Sequence, residues 1–402
     1  MVSRGVLVAQ PARQHAHRLA FALERAGLLH SFWTSLPDRQ SLRWWPRLFD
    51  RYLPSAVWRH SLDTLPRRKV HCWLLPLVIK KSVAKIQYPA LRAFGEWLAW
   101  VSFDWWVSIQ VRRQRPALVV GYEMCCLRTF QVARAMHIPC LLDAAAFHCA
   151  LQERVLGAGN GARRAFFERR LRQRKLDELK LATHIVCASA LARRSYVDAG
   201  VDPTKVTVNA VGCDVERFAP DVRVRRSGAA KFVFVGVPVH HKGFDVLCHA
   251  FSNVLSLAPN AELHVVGDAS LIVKSALPNQ IRLHGKLGHR ELAQLLTTMD
   301  CLVLPSRLES FGMVVVEALA VGLPVIVSDR VGAMELVQEG KNGWVVPAGD
   351  ERALEYRLLV ACAQVETLRV MRDDCVRSAA PYDWSHYSQR AVDLIARWTG
   401  PT

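Results

Sequence analysis

The sequence predicts an α/β chain of two doubly wound, parallel-sheet domains facing a cleft. Three observations carry that prediction. The chain has 402 residues, against roughly 100–200 for an average domain. Hydrophobic residues make up 51% and charged residues 22%, a globular composition that excludes disorder over most of the length. Short β-branched runs alternate with amphipathic segments, the pattern of βαβ units with helices on both faces of a sheet.

Taken in order, the N-terminal strands are expected at GVLVAQ from Gly5, LHSFWTS from Leu29, ALVVGYE from Ala117, PCLLDA from Pro139, HIVCAS from His184 and KVTVNA from Lys205. An insertion of about residues 36–115 separates the second strand from the third. A βα connection is usually a few residues long, so this segment must have its own structure and a role. C-terminal strands are expected at KFVFVG from Lys231, ELHVVG from Glu262, IRLHG from Ile281, CLVLPS from Cys301, PVIVS from Pro324 and GWVVP from Gly343. Helices are expected between them at Asp245–Leu257, Arg290–Met299, Met313–Val321, Ala333–Gln338 and Glu351–Gln364. Gly322-Leu-Pro stops the third of these. The run VRVRRSG after Asp221 reads as an exposed linker and sets a domain boundary within residues 211–227. Residues 1–211 then form the N-terminal domain, with the insertion inside it, and residues 212–380 form the C-terminal domain. Ligands of such sheets bind at the carboxyl ends of the strands.

Lys and Arg number 53 against 35 Asp and Glu, a net charge of +18. That excess favours polyanionic partners: nucleic acid, an anionic membrane face or phosphorylated small molecules. The eleven cysteines form no CxxC pair and no cluster with zinc spacing, so reduced thiols in a cytosolic protein are expected. The chain opens on a strand pattern and not on a leader peptide. The longest apolar stretch, Trp97–Val111, is interrupted by Asp104, and no membrane-spanning helix is expected.

The most informative string is PSRLESFGMVVVEALAVGLPV from Pro305, continued to Gly349. Glu309 falls in a loop after a buried strand. Phe311-Gly312 opens a helix, and Glu317 lies inside it. A helix start offers free N–H groups and a positive dipole end to a phosphate. Two carboxylates flanking it can accept from the hydroxyls of a polyhydroxylated ligand. Read singly, the two glutamates are also a surface acid and a helix N-terminal acid.

The string resembles the donor-site signature of glycosyltransferase family 4, the retaining enzymes of GT-B fold. Pro305, Ser306, Glu309, Phe311, Gly312, Glu317, Ala318, Ala320, Gly322, Pro324 and Val325 match it, and Glu335, Gly340 and Gly343 continue it. FVGVPVHHKGFDVL from Phe234, HVVGD from His264 and VNAVGCDVERFAP from Val208 also resemble the family. So does YDWSHYSQ from Tyr382, which implies a terminal helix, residues 381–402, crossing back to the N-terminal domain. The resemblance is good from about residue 177 and thin over residues 36–115. It implies that Glu309 binds donor-sugar hydroxyls, that the backbone of Phe311, Gly312, Met313 and Val314 meets sugar and diphosphate, and that Glu317 holds the ribose. Gly236, Gly267 and Arg307 join that binding set. Lys242 would neutralise the diphosphate as the anomeric bond breaks, because leaving-group charge needs a fixed cation in a dry cleft. His148 would touch the donor sugar, against the plain reading of a buried or capping histidine.

Two positions depart from the family pattern. Val237 stands where relatives often carry a phosphate-binding arginine, so His240, His241, Arg307 and Arg330 become candidates for that charge. The first loop reads Gln10-Pro11-Ala12-Arg13-Gln14-His15 instead of carrying a glycine pair, and Arg13 and His15 read as solvated loop residues, with reach to the diphosphate as the other reading. No Asp-x-Asp lies at a strand end, so neither a metal nor another cofactor is expected.

The span Trp33–Trp106 holds nine of the twelve tryptophans, with twelve Lys/Arg against five acids. Tryptophan with Arg and Lys suits a bilayer interface carrying anionic lipid. An ordinary helical core and, more remotely, single-stranded nucleic acid are the other readings. The basic helix expected at Arg163–Lys180 adds to that face or is simply solvated. The whole implies a retaining transferase of hexosyl groups from a UDP- or GDP-sugar to a glycan or lipid-linked acceptor in envelope polysaccharide or lipopolysaccharide synthesis, peripheral on the inner face of the cytoplasmic membrane. The rivals are a nucleotide-sugar epimerase or hydrolase, and an inactive GT-B protein that binds membrane or nucleic acid.

Overall fold

The computed structural model of the chain describes residues 5–12, 15–36, 65–84, 86, 88–157, 162–219, 228–270, 272 and 277–399. Residues 37–64, with Trp44, Trp45, Trp58 and five of the insertion's cations, lie outside them, as do Arg13 and most of the expected linker.

Two parallel sheets organise the molecule. The first comprises β1 (Val6–Ala9), β2 (Leu29–Thr34), β3 (Val70–Cys72), β4 (Leu118–Tyr122), β5 (Cys140–Ala144), β6 (His184–Cys187) and β7 (Val206–Val208). The second comprises β8 (Lys231–Val235), β9 (Glu262–Val266), β10 (Ile281–Gly285), β11 (Cys301–Leu304), β12 (Val325–Ser328) and β13 (Gly343–Val346). Their orders are β3-β2-β1-β4-β5-β6-β7 and β10-β9-β8-β11-β12-β13. Strand order therefore reverses between β1 and β4, and again between β8 and β11, which opens a crevice beyond the strand ends at each point. The central strands are continuous apolar runs such as Val6-Leu-Val and Cys301-Leu-Val-Leu, fully buried, because helices cover both faces of a parallel sheet.

Every strand except β3 falls on a predicted run. β3 is three residues at the sheet edge, paired with β2, too short for period-two alternation to mark it. The predicted helix Ala333–Gln338 is instead a 3-10 turn, Gly332–Leu336. Its first N–H groups are taken by the neighbouring loop: Gly332 donates to the Glu309 carbonyl at 2.8 Å and Ala333 to that of Phe311 at 2.6 Å.

The chain passes twice between the sheets, side by side. The Cys213 N–H donates to the Tyr382 carbonyl at 2.7 Å. Arg390 donates to the Asn209 side chain at 3.1 Å and to the Ala210 carbonyl at 3.1 Å. The helix Trp384–Thr399 then packs Ala391, Leu394 and Ile395 into the N-terminal core.

The insertion's described part is β3 and a helix pair, Leu75–Ala84 and Pro89–Gln114. Gly95 lets the two helices touch, since a Cβ there would lie 2.1 Å from Val83 Cγ1. The C-terminal half of the long helix is core, with Phe103, Val107 and Val111 fully buried. Asp104, the charge that interrupts the apolar stretch, is buried too. It accepts from the Arg128 N–H at 2.7 Å and the Thr129 N–H at 2.8 Å, and pairs with Arg174 of the helix Ala162–Leu181. Among the described residues no helix is long and apolar enough to cross a membrane.

Removing one member of a buried ion pair strands the other. Asp104→Ala should therefore lower the unfolding free energy by about 3 kcal/mol, seen as a lower urea midpoint at unchanged slope. A midpoint within error of the parent's would show that Asp104 does not anchor the helix.

Candidate functional site

The site is built where β8, β9, β11 and β12 end. The turn after β8 carries Lys242, and Gly243 follows it with φ +68°. A Cβ on Gly243 would sit 2.0 Å from the Pro305 carbonyl oxygen. Only glycine lets this turn close onto the loop after β11, and that approach brings Lys242 to Glu309. Their side chains form a direct ion pair, both largely buried. The Glu309 backbone is itself held as a strand-like bridge: its N–H donates to the Arg330 carbonyl at 3.0 Å, and its own carbonyl accepts from Gly332.

Four residues on, the helix Met313–Ala320 starts at Gly312. Its first N–H groups and dipole end face the same space as the ion pair. Phe311 is buried, 6.2 Å from the Tyr382 ring in the chain crossing. Gly236 and Gly267 lie against each other where β8 and β9 end, with the Gly236 N–H donating to the Val266 carbonyl at 2.8 Å. Glu317 lies one turn inside the helix, and burial pushes its carboxyl up to about 7.

Arg307 and His148 are otherwise engaged. The Arg307 guanidinium grips Asp245 with two bonds of 2.7 and 2.8 Å and also donates to the His240 carbonyl at 2.7 Å. It braces the Lys242 turn through these bonds. His148 caps the helix Cys149–Leu156, its Nδ1 accepting from the Ala150 N–H at 3.3 Å. Burial and then the charge of Arg172 lower its pKa, partly offset by Glu153. Of the other candidate cations, His241 is lowered by burial, then by Lys242. Arg330 lines a cavity of about 440 Å³ between the domains, opposite Arg154, Arg194 and Ser195.

Three features were not legible beforehand. His15, expected in solvent, is buried. Its Nε2 meets Asp143 Oδ2 at 2.7 Å, and its ring packs edge-on against Tyr122 and Tyr387. Burial lowers its pKa, but the charge and hydrogen bond of Asp143 outweigh that and raise it overall. Glu335, matched as a family position, accepts from the Ala190 N–H at 3.2 Å, and Ser189 Oγ donates to the Ser310 carbonyl at 2.7 Å. Both bonds tie the N-terminal domain to the site loops. The partners are more than 100 residues apart in each case, so no local spacing announces them. Among the described residues, no three His, Cys, Asp or Glu side chains gather as metal ligands would.

The Glu317 carboxyl titrates near 7 in the fold, against an ordinary 4.5. Between these values the folded chain holds a proton that the unfolded chain has lost, so stability falls as pH rises through that window and stays lower above it. Glu317→Gln should remove this slope: its melting temperature should gain on the parent's at pH 8 and converge towards it at pH 5. Parallel profiles would contradict the assignment.

Residues 216–373 match the family model of glycosyl transferases group 1. The phosphatidyl-myo-inositol mannosyltransferase of Mycobacterium leprae is 32% identical over 213 residues, 50% of this chain and 55% of that protein. The chain thus spans about half the length of the curated relatives it matches. Among solved structures, Anabaena Alr3699/HepE in complex with UDP superposes with a TM-score of 0.67 at 14% identity, over 98% of this chain and 100% of that one; its UDP-glucose complex gives 0.64 at 16% identity, over 98% and 99%. WaaG, a glycosyltransferase involved in lipopolysaccharide biosynthesis, gives 0.64 at 16% identity, over 97% and 99%. The chain thus has the GT-B fold of these structures, and within it residues 216–373 are similar to the glycosyl transferases group 1.

Proposed function

We propose that the protein is a retaining glycosyltransferase that moves a hexosyl group from a UDP- or GDP-sugar to a membrane-associated glycan or lipid-linked acceptor. The observation that carries this reading is the Lys242–Glu309 ion pair at the mouth of the Met313–Ala320 helix. Without donor, each side chain neutralises the other. With donor, the lysine turns to the diphosphate, whose charge grows as the anomeric C–O bond breaks, and the carboxylate is released to accept from sugar hydroxyls. The helix N-terminus receives the remaining phosphate charge. Glu317 accepts from the ribose hydroxyls. The cavity lined by Arg154, Arg194 and Arg330, with Asp198 and Asp329, reaches Glu309 through the Arg330 backbone and offers the acceptor's glycan a charged, polar wall.

The names of related proteins support the substrate classes. The mycobacterial relative is named for a phosphatidyl-inositol acceptor, the Anabaena protein was solved with UDP-glucose, and WaaG is named for lipopolysaccharide biosynthesis. Work at the inner face of the cytoplasmic membrane fits the +18 charge and the exposed Leu91, Phe94, Leu98 and Trp105 on the long insertion helix, with no cofactor beyond the donor.

The test is a donor screen with and without lipid extract. Transfer should require an acceptor, and Glu309→Ala should abolish it, because the sugar loses its orientation in the transition state. Turnover of Glu309→Ala near the parent's, with any donor, would overturn the reading. Lys242→Ala should lower turnover by roughly 100- to 1,000-fold, the scale of one oxyanion-type contact. Activity should survive EDTA, and strict dependence on magnesium or manganese would contradict the role given to Lys242. Donor consumption without an acceptor would favour a hydrolase or epimerase.

A further inference from the structure

A second cavity, of about 340 Å³, opens in the N-terminal domain beyond the ends of β1 and β2. That volume is within the roughly 300–1,000 Å³ of small-molecule sites. Pro11, Leu36, Leu77, Ala84 and Trp100 make it apolar, and its charged lining residues are Lys80 and Lys81. Lys80 Nζ lies 4.9 Å above the Trp100 ring, so its stem follows the apolar wall while its ammonium stays at the rim. Ser35 also lines the cavity. It is 1% exposed, and among the described residues its hydroxyl has no hydrogen-bond partner. An orphaned buried hydroxyl is costly unless something arrives to satisfy it. Outside the cavity the same two helices carry Leu75, Val78, Leu91, Phe94 and Leu98, each at least 36% exposed. Leu91, Phe94 and Leu98 recur at helical spacing along one face.

We infer that this cavity holds the lipid end of the acceptor: an alkyl or prenyl chain lies along Leu77, Ala84 and Trp100, and its phosphate is held by Lys80, Lys81 and the Ser35 hydroxyl. The inference rests on the lipid-linked acceptor proposed above. Its physical logic is local. An apolar slot with two cations and an unpartnered donor matches a phosphate-headed amphiphile, and neither half of that ligand matches alone. The exposed apolar row beside it gives the chain a way in from a bilayer surface, and the cleft at the ends of β1 and β2 receives the sugar-bearing end.

The full chain is titrated by calorimetry with dodecyl phosphate below its micelle concentration, with dodecyl maltoside and with inorganic phosphate. Saturable one-to-one binding of dodecyl phosphate is expected, at least about tenfold tighter than either control. Ala84→Trp fills the slot from an exposed position, and Lys80→Glu with Lys81→Glu reverses its charge; each should weaken binding by about tenfold or more. UDP and GDP binding, read on the same samples, should not change in these variants, which shows that they fold and keep the donor side. Equal affinity for dodecyl maltoside would mean a merely greasy surface, equal affinity for inorganic phosphate a bare anion site, and insensitivity to both variants a site elsewhere; any of these overturns the inference. Failure of the parent to bind UDP or GDP would count against the donor reading and leave the lipid result standing by itself.

Discussion

The candidate site exists only while two parallel sheets present their carboxyl ends to one another, and that depends on the paired chain crossing. Peptide groups at Cys213 and Tyr382 bond directly, and Arg390 ties the outgoing strand end to the returning helix through Asn209 and Ala210. The backbone there is packed so closely that a Cβ on Gly212 would lie 2.8 Å from the Asp383 carbonyl. The terminal helix then becomes part of the N-terminal core. Two short passages fixed to each other thus join the sheets along one side.

Across the cleft the connections are weaker and differently placed. Glu335 to Ala190 and Ser189 to Ser310 are single hydrogen bonds at partly exposed positions. Each is worth about 1 kcal/mol net, little enough for a ligand to outweigh. Both reach the loops that hold Glu309 and Phe311. The loops around Glu309 and Phe311 are thus tied to the N-terminal domain as well as to their own sheet.

The insertion shows one chain segment serving two solvents. Its long helix is core at the C-terminal end, where Asp104 links the backbone of the helix Leu127–Ala135 to Arg174, and exposed and apolar at the N-terminal end. The tryptophans divide between core and surface. Trp33 is buried against His71 and Trp106, whereas Trp105 is 47% exposed. The same aromatic-rich span thus carries both core and exposed tryptophans, at different residues.

By itself the sequence determined what depends on local periodicity and on fixed short spacings. Twelve strands, most of the helices between them and the Pro305–Gly349 string were legible because a parallel-sheet strand needs an apolar run and a helix start needs its flanking residues within a few positions. Lys242 and Glu309 were legible as separate candidates for the same reason. Tertiary structure alone decided what each candidate touches. Arg307 braces Asp245, His15 is buried on Asp143, and Lys242 meets Glu309. The physical reason is range: hydrogen bonds and ion pairs act over about 3 Å, and here they join residues 62 to 128 positions apart, a proximity that no periodicity encodes. The slot at Lys80 and Lys81 was hidden for the same reason, since its walls come from two strand ends and two helices that meet only in the folded domain.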